Sequence, residues 1–563
     1  MVKVLVIGLD AAEPSLIEEW QDQLPNIGRI MREGVYARMR SSDPPQSVPA
    51  WNCLCTGKNP GKIGVYDFFY RESSTYRIRV VNSTIVRTPN VWKILSTKGK
   101  RVVIIGVPTT FPPEEVNGIM VCGLPLPVTE GKPVSNYTYP SELSNEIDKI
   151  VEGYEYAVSF NIPENFVVSD LSWATSTLAH DKKEGGLSRA EEKQLLIAKH
   201  LLQSSDWDYF MVVFRELDRV GHFMWKYMDK SHPQFEDQPP LREAIKRVYI
   251  RMDEIIGELL RLVGNDTIVL LVSDHGFGPL HRRFYVNEFL QRIGMLRLKR
   301  SKSVQVRLAQ KLRFGAPEIM QILLNLRLHW IVRLVPNRFR QMVRSIDQFE
   351  GNLRNIDWAK TKAYSYGEIG RVFLNVKGRE PHGIVEPGGE YDRVRDFIVQ
   401  SLGALTDPAS GSRIVDRVFK REEIYSGEFT EEAPDLLFYM DGLRCIASTR
   451  LGYRSLFDNE SLTNGTHRPY GIFMAYGNSI RKGASVNLGI CDIVPTILHI
   501  MGIPIPDDMD GTPIVDILEP DSEMARRPVA YEKPVRGGEK VFQWSPEEER
   551  KLEEQLRGLG YLG

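Results

Sequence analysis

The chain has 563 residues, which at roughly 150 residues per domain corresponds to three or four domain-sized units, or to one large α/β core with insertions. Apolar residues make up 42% and charged residues 26%, and glycine and proline contents are ordinary, so collagen-like, disulfide-scaffold and intrinsically disordered proteins are excluded. Lysine plus arginine total 72 against 73 for aspartate plus glutamate, and a net charge of -1 provides no overall field for a nucleic-acid polymer.

Short runs rich in β-branched residues and leucine predict strands that are buried on both faces. In chain order these runs are residues 2–9, 101–107, 208–214 and 267–272. Helical patterns lie between them, for example over residues 187–202 and 241–262. Such alternation is typical of a doubly wound α/β fold with a mostly parallel sheet.

Two segments interrupt this alternation and are predicted to be insertions. Residues 127–186 contain proline, serine and glutamate with weak periodicity, whereas residues 296–345 have helical spacing. The α/β core is therefore assigned to residues 1–126, 187–295 and 346–518. The remaining residues, 519–563, form a polar C-terminal tail. Near its end, Ser545-Pro546-Glu547-Glu548 is a capping-box start that predicts a short surface helix.

The second insertion is strongly basic. Residues 296–344 contain twelve lysines and arginines against one glutamate, interleaved with apolar residues at helical spacing. We expect a helical cap that rises from the sheet edge and holds a polyanionic substrate or contacts an anionic membrane surface. The alternative is a solvated cap whose charges pair with acidic segments elsewhere.

The cysteines and the N-terminus indicate a cytoplasmic protein. The five cysteines form no C-x-x-C pair of the zinc-ribbon or thioredoxin kind, which favours a reducing compartment. The apolar run before Asp10 is too short for a signal-peptide core, and no apolar stretch reaches the length of a membrane span. Nothing in the sequence indicates an oligomeric state.

Acidic and histidine residues follow three of the predicted strands. Asp10 follows the first strand, Asp218 the third, and Asp274-His275 the fourth. Because open α/β sheets bind their ligands at the carboxyl ends of the strands, we expect these residues to share one edge. Each alone is commonly a helix cap or a packing residue, but together they predict a functional site.

The same residues have the composition of a transition-metal site. Asp218 and His222 are four residues apart, which puts both on one face of a helix. Asp274-His275 offers adjacent oxygen and nitrogen donors, and His467 adds an imidazole in a glycine-containing loop. Mixed carboxylate and imidazole sets suit Zn²⁺ or Mn²⁺, whereas Mg²⁺ and Ca²⁺ sites are nearly all oxygen.

Ser47 is the candidate nucleophile. It precedes Pro49, a residue suited to the first turn of a helix, so its hydroxyl and a bound phosphate would lie against free backbone N–H groups. The alternative is that Ser47 only caps this helix. Metal coordination would favour the nucleophile, because it lowers the pKa of the hydroxyl.

The order of these motifs resembles the alkaline phosphatase superfamily, specifically its type I phosphodiesterase and nucleotide pyrophosphatase branch. The motifs that carry the resemblance are Asp10, Ser47 before a Val-Pro helix start, Cys55-Thr56-Gly57, Asn59-Pro60, Gly64, Asp218-x-x-x-His222, Ser273-Asp274-His275-Gly276 and Gly465-Thr466-His467. It continues through residues 491–498, 501–504 and Asp510-Gly511, and so covers most of the chain.

The resemblance implies an alkaline-phosphatase-like fold and a two-metal phosphohydrolase or phosphodiesterase. One metal ion would be held by Asp218, His222 and His467, and the second by Asp10, Asp274, His275 and Ser47. Zn²⁺ is the first expectation and Mn²⁺ the alternative. Ser47 would attack phosphorus and form a phosphoseryl intermediate, because paired metal ions can stabilise both attacking and leaving oxygens. The substrate would be a small phosphate ester or nucleotide pyrophosphate, not a nucleic-acid polymer.

The sequence also departs from the nucleotide pyrophosphatase pattern. That pattern usually has a threonine nucleophile where this chain has Ser47, and an asparagine for a phosphoryl oxygen where this chain has Phe68 beside Asp67. Residues 47–51 lack the arginine of a sulfatase motif, and the surroundings of the phosphoglycerate mutase nucleophile are absent. A phosphomutase or phosphotransferase, and a non-catalytic anion-binding member of the family, remain the alternatives.

Overall fold

The computed structural model describes residues 2–72, 75–126, 128–129, 132–133, 136–151, 189–299, 353, 355–408, 410–451, 453–459, 463–534 and 542–558. Most of the predicted insertion 127–186 and of the basic segment 296–345 lies outside these residues. The helical cap and its membrane contact therefore stay predictions. Within the described residues, no helix is long and apolar enough to cross a membrane.

The strands of the described residues are spread along the whole chain. They are β1 (Lys3–Leu9), β2 (Val35–Arg40), β3 (Phe69–Arg71), β4 (Ile78–Val80), β5 (Val102–Ile105), β6 (Gly118–Val121), β7 (Val128–Thr129), β8 (Lys132–Pro133), β9 (Thr138–Tyr139), β10 (Tyr209–Phe214), β11 (Thr267–Val272), β12 (Gly276–Pro279), β13 (Arg282–Tyr285), β14 (Ala363–Tyr364), β15 (Arg371–Leu374), β16 (Val415–Lys420), β17 (Leu436–Met440), β18 (Cys445–Ser448), β19 (Phe457–Asp458), β20 (Gly465–Arg468), β21 (Tyr470–Tyr476), β22 (Leu488–Gly489), β23 (Ile505–Pro506) and β24 (Tyr531–Glu532). The four predicted runs correspond to β1, β5, β10 and β11.

The α-helices alternate with these strands. They are α1 (Pro14–Trp20), α2 (Pro25–Glu33), α3 (Ser47–Thr56), α4 (Pro60–Ile63), α5 (Val91–Thr97), α6 (Leu143–Val151), α7 (Arg189–Ser204), α8 (Glu216–Met228), α9 (Pro239–Arg242), α10 (Ala244–Leu260), α11 (Val286–Arg292), α12 (Gly389–Gly403), α13 (Arg421–Ile424), α14 (Ile493–Ile500), α15 (Glu523–Arg526) and α16 (Pro546–Gly558). Single 3₁₀ turns lie at Gln21–Gln23, Ser83–Ile85, Trp358–Lys360, Thr430–Glu432, Asp441–Leu443, Ile490–Asp492 and Val515–Ile517. The two predicted helical patterns correspond to α7 and α10.

A large, mostly parallel sheet forms the centre of the fold. Among the described residues its nine strands have the order β22-β2-β21-β11-β1-β10-β5-β6-β9. The strands from β11 to β6 run parallel, while β21 and β9 pair antiparallel with their inner neighbours. Every residue of β10 and β11 is buried, as expected for strands covered by helices on both faces. The predicted doubly wound α/β fold is confirmed.

The described residues contain five smaller sheets, of which β3 with β4, β7 with β8 and β23 with β24 are two-stranded pairs, and two others concern the site. The first, which we call the second sheet, has the order β14-β15-β17-β18-β13-β19, with β16 on β17. The other is the two-stranded ribbon of β12 and β20, in which Phe277 is opposite His467. Because β12 starts directly after the end of β11, this ribbon brings His467 to the carboxyl edge of the large sheet.

The C-terminal helix is attached to the core. The predicted capping box is present, because the Ser545 N–H donates to Glu548 Oε2 and the Glu548 N–H donates to Ser545 Oγ. The helix is not only a surface element, however. Leu552 and Leu556, four residues apart on α16, are fully buried, and the Trp544 ring stacks on Phe111 with centroids 5.3 Å apart. The composition of the tail is largely polar, so it did not reveal this apolar face of the helix.

Candidate functional site

The Ser47 hydroxyl lies between an aspartate and a histidine. Its Oγ is 3.4 Å from Asp10 Oδ1 and 3.2 Å from His275 Nε2. Ser47 is the first residue of α3, and the preceding residue, Gln46, occupies the N-cap position with extended backbone. The side chain of Ser47 is therefore directed to Asp10 and His275 and not into a cap of its own helix.

The first ligand cluster consists of Asp218, His222 and His467. Asp218 and His222 lie one turn apart on α8, as their spacing predicts, and His467 comes from β20. Asp218 Oδ1 is 3.5 Å from His222 Nε2 and 3.4 Å from His467 Nε2. One ligand atom of each residue lies within 4.8 Å of the others, and all three residues are buried.

The second ligand cluster consists of Asp10, Asp274 and His275. Asp10 follows β1, and Asp274 and His275 follow β11, which is hydrogen-bonded to β1. His275 Nε2 is 3.2 Å from Asp274 Oδ2 and 3.7 Å from Asp10 Oδ1. The two clusters adjoin, because the rings of His275 and His467 have centroids 4.3 Å apart.

Hydrogen bonds to the backbone orient two of the imidazoles. Nδ1–H of His222 donates to the carbonyl of Gly465 at 3.1 Å, and Nδ1–H of His275 donates to that of Gly276 at 3.0 Å. A carbonyl oxygen can only accept, so the proton lies on Nδ1 in both rings. Nε2 then carries the lone pair, which is the arrangement found in histidines that bind metal ions.

Several buried polar atoms in these clusters have no hydrogen-bond partner among the described residues. They are Oδ1 and Oδ2 of Asp218, Oδ2 of Asp274, and Nδ1 and Nε2 of His467. Such atoms are costly to bury without a partner, and a cation would satisfy them. The donors, three carboxylates and three imidazoles, fit two transition-metal ions such as Zn²⁺.

The electrostatics of the site are those of a crowded set of buried acids and bases. Burial, reinforced by the charge of Asp218, raises the pKa of Asp10, and burial with the charge of Asp10 raises the pKa of Asp274. Burial also opposes ionisation of Asp218, but His222 and His467 outweigh it and lower its pKa. Burial lowers the pKa values of His275 and His467. A bound cation would favour the ionised carboxylates and neutral imidazoles together.

The structure brings all seven predicted site residues together, and it adds one that the sequence analysis missed. Trp51 donates its Nε1–H to Asp10 Oδ2 at 3.1 Å and is fully buried. Its signal in the sequence is the four-residue spacing from Ser47, which places both on one face of α3. Gly8 gives the indole its space, since a Cβ there would lie 2.5 Å from the Trp51 ring.

Phe68 stands where the resemblance expects an asparagine. Its ring is buried, and its backbone N–H donates to Asp67 Oδ1 at 2.6 Å. This position therefore supplies no side-chain amide for a phosphoryl oxygen.

Residues 4–467 match the family described as type I phosphodiesterase / nucleotide pyrophosphatase. The match covers most of the chain, which therefore belongs to this family of phosphodiesterases and pyrophosphatases, and the predicted family resemblance is confirmed.

Two solved structures are similar to the chain over 92% of its length and 100% of theirs, each at 13% identity. Human ectonucleotide pyrophosphatase / phosphodiesterase 5 has a TM-score of 0.49, and the murine protein of that name, in an inactive form in complex with AMP, has 0.50. At this identity the likeness to the murine protein shows the fold alone. A comparison with curated proteins finds no match.

Proposed function

We propose that the protein is a two-metal phosphohydrolase that cleaves phosphodiester or pyrophosphate linkages through Ser47. The observation that carries this proposal is the pair of adjoining buried ligand clusters beside the Ser47 hydroxyl. In these clusters both oxygens of Asp218, Oδ2 of Asp274 and both ring nitrogens of His467 have no hydrogen-bond partner among the described residues. Family membership supports the reaction class.

Each ion has a proposed set of ligands. Asp218, His222 and His467 would hold one ion, and Asp10, Asp274 and His275, together with Ser47, would hold the other. The mixed donor set favours Zn²⁺, with Mn²⁺ as the alternative. When bound, the ions would lower the pKa of the Ser47 hydroxyl and stabilise negative charge on the transferring phosphoryl group.

The chain's own residues perform two displacements. Ser47 Oγ attacks phosphorus and loses its proton, and the bond from phosphorus to the leaving oxygen breaks; the leaving oxygen takes up a proton and departs as the first product. The phosphoseryl group that remains still carries the second substituent. Water then attacks this group, the bond from phosphorus to Ser47 Oγ breaks, and a proton from water regenerates the Ser47 hydroxyl as the substituted phosphate leaves as the second product. Ser47 begins a helix of ten residues, so backbone N–H groups and the positive end of the helix dipole favour the phosphoryl oxygens.

The proposed substrate is a small phosphate diester or pyrophosphate and is not restricted to nucleotides. Phe68 supports this wider class, because no side-chain amide is available at the position where nucleotide pyrophosphatases hold a phosphoryl oxygen. Loss of that donor would weaken, but not abolish, stabilisation of the transition state, since metal ions supply most of it.

The test is metal analysis combined with a substrate screen on the purified full-length chain. We expect close to two equivalents of transition metal per chain and turnover of bis-p-nitrophenyl phosphate that chelation abolishes. The screen includes phosphomonoesters, diesters, pyrophosphates and phosphonates, each with and without an alcohol acceptor. Active protein that contains no transition metal would contradict the two-metal proposal, and transfer only to an alcohol would identify a phosphotransferase.

A further inference from the structure

A buried arginine of the second sheet reaches the residue that precedes the nucleophile. Arg371 is the first residue of β15 and is 1% exposed. Its Nη2 donates to Gln46 Oε1 at 2.5 Å and to the carbonyl of Tyr66 at 2.9 Å. Its Nη1 donates to Asp67 Oδ2 at 2.7 Å and to the carbonyl of Glu368. One guanidinium thus connects three separate chain segments.

Gln46 and Asp67 are both held by Arg371. Both residues are almost fully buried. The other oxygen of Asp67 accepts the N–H of Phe68, the position opposite the family's asparagine. Burial raises the pKa of Asp67 to about 6, although Arg371 opposes this rise. Arg371 is thus a shared support of the residues before Ser47 and around Phe68.

The loop that delivers Arg371 adopts an unusual backbone. Gly367, Ile369 and Gly370 have φ values of 75°, 58° and 56°. A Cβ at Gly367 would lie 1.9 Å from Asp67 Oδ2 and 2.9 Å from Arg371 Nη1, so only glycine fits beside the ion pair. Left-handed backbone at a non-glycine residue such as Ile369 costs free energy and persists where the surroundings impose it.

We propose that Arg371 is a positioning residue for Ser47, acting through Gln46; this inference rests on the proposed function. Gln46 is the N-cap residue of α3, yet its side chain makes no hydrogen bond to that helix. Its side chain is held by Arg371 instead, which fixes the start of α3 and the direction of the Ser47 hydroxyl. A misplacement of about 1 Å at a reacting atom costs on the order of 10²-fold in rate.

The second sheet also contains a matched control. Arg379, which follows β15, forms an ion pair with the buried Asp435 through two nitrogens at 2.8 and 2.7 Å. It also donates to Glu380 and to the carbonyl of Leu374, and all three partners belong to the second sheet or its loops and not to the site. Arg379→Met therefore removes a comparable ion pair from the same region without touching the support of Ser47.

The experiment measures kcat and KM for bis-p-nitrophenyl phosphate well below the melting temperature of each variant. We expect Arg371→Met and Gln46→Met each to lower kcat roughly 10- to 100-fold with KM nearly unchanged. Arg371→Lys should fall between wild type and Arg371→Met, because an ammonium cannot reproduce the planar fork. Arg379→Met should keep kcat within about two-fold of wild type.

A double variant separates positioning from general stability. Because Arg371 is proposed to act on Ser47 through Gln46, the double variant Arg371→Met with Gln46→Met should lose no more kcat than either single variant. A crystal structure of Arg371→Met should also show a changed distance between Ser47 Oγ and His275 Nε2. Losses of kcat that multiply, or an Arg371→Met variant that behaves as Arg379→Met does, would overturn the inference.

These outcomes are distinct from failure of the proposed function. A wild-type chain without turnover, or turnover that survives Ser47→Ala, defeats the proposed function and this inference with it. Turnover that depends on Ser47 but is unchanged in the Arg371 and Gln46 variants defeats this inference alone.

Discussion

Two buried clusters of charged residues in this chain differ in how their polar atoms are satisfied. In the second sheet, Asp435 accepts hydrogen bonds from Arg379, from the Tyr391 hydroxyl and from the Leu374 N–H, and Arg421 lies within ion-pair distance. Burial alone would raise the pKa of Asp435, but Arg379 outweighs it and the pKa is lowered. At the edge of the large sheet, oxygens of Asp218 and Asp274 have no such partners in the described structure.

The difference separates a structural cluster from one that requires a ligand. A buried carboxylate with an arginine partner is complete within the protein. A buried carboxylate whose oxygens lack partners beside imidazole nitrogens is destabilising by itself, and a cation that joins them removes this cost. Buried carboxylates therefore occur both in structural clusters and in ligand-binding clusters, and their hydrogen-bond partners show which kind of cluster is present.

The largest loss of activity should come from replacing the proposed nucleophile beside the two ligand clusters. Ser47→Ala should lower kcat by roughly 10⁴-fold or more, while metal content and the melting temperature stay near those of wild type, because only a hydroxyl is lost. Ser83→Ala is the matched control, since that serine is also buried but its hydroxyl donates to the carbonyl of Pro112. Near-normal turnover of Ser47→Ala would reject the covalent mechanism.

Asp218 and Asp274 should contribute to the unfolding free energy only when metal ions are bound. At a free metal concentration 100 times Kd, the gain in unfolding free energy is about 2.7 kcal/mol per site. Asp218→Asn should remove the ion of one cluster and Asp274→Asn that of the other, with melting temperatures lowered in zinc but not after chelation. Equal losses of stability with and without zinc would mean that these carboxylates are structural. Elemental analysis and thermal denaturation provide the measurements.

The cluster around Asp435 should instead contribute to stability whether or not zinc is present. Asp435→Asn removes the fully buried carboxylate that pairs with Arg379 and Arg421 and leaves Arg379 with Glu380 as its charge partner. Breaking a buried pair costs roughly 3–5 kcal/mol. We expect this loss of unfolding free energy with and without zinc, and an unchanged kcat in the folded protein. Urea denaturation and steady-state kinetics test both parts. A loss of unfolding free energy that depends on zinc would contradict a purely structural role of this cluster.

The smallest effect should come from the residue that supports a ligand. Trp51→Phe removes the indole N–H that donates to Asp10, and loss of such a partner typically weakens metal binding 10- to 100-fold. Trp544→Phe is the control. It also removes an indole hydrogen bond, but the acceptor is the carbonyl of Val80, which is not one of the proposed metal ligands. Competition with a chromogenic chelator should show one weakened site in Trp51→Phe and none in Trp544→Phe.

The sequence by itself determined the elements that depend on local periodicity. Continuous apolar runs gave β1, β5, β10 and β11, because strands buried on both faces need apolar side chains on both. The four-residue spacing of Asp218 and His222 already places them on one face of α8. Ligand types and their order were likewise sufficient to propose the seven site residues.

The tertiary structure alone decided which distant residues complete the site. His222 hydrogen-bonds to Gly465, 243 residues further along the chain, because the β12–β20 ribbon returns the chain to the sheet edge. Arg371 reaches Gln46 across 325 residues, from the end of a loop with left-handed backbone at Gly367, Ile369 and Gly370. Neither contact leaves a periodic pattern in the sequence, because each depends on how sheets pack and not on the spacing of neighbouring residues.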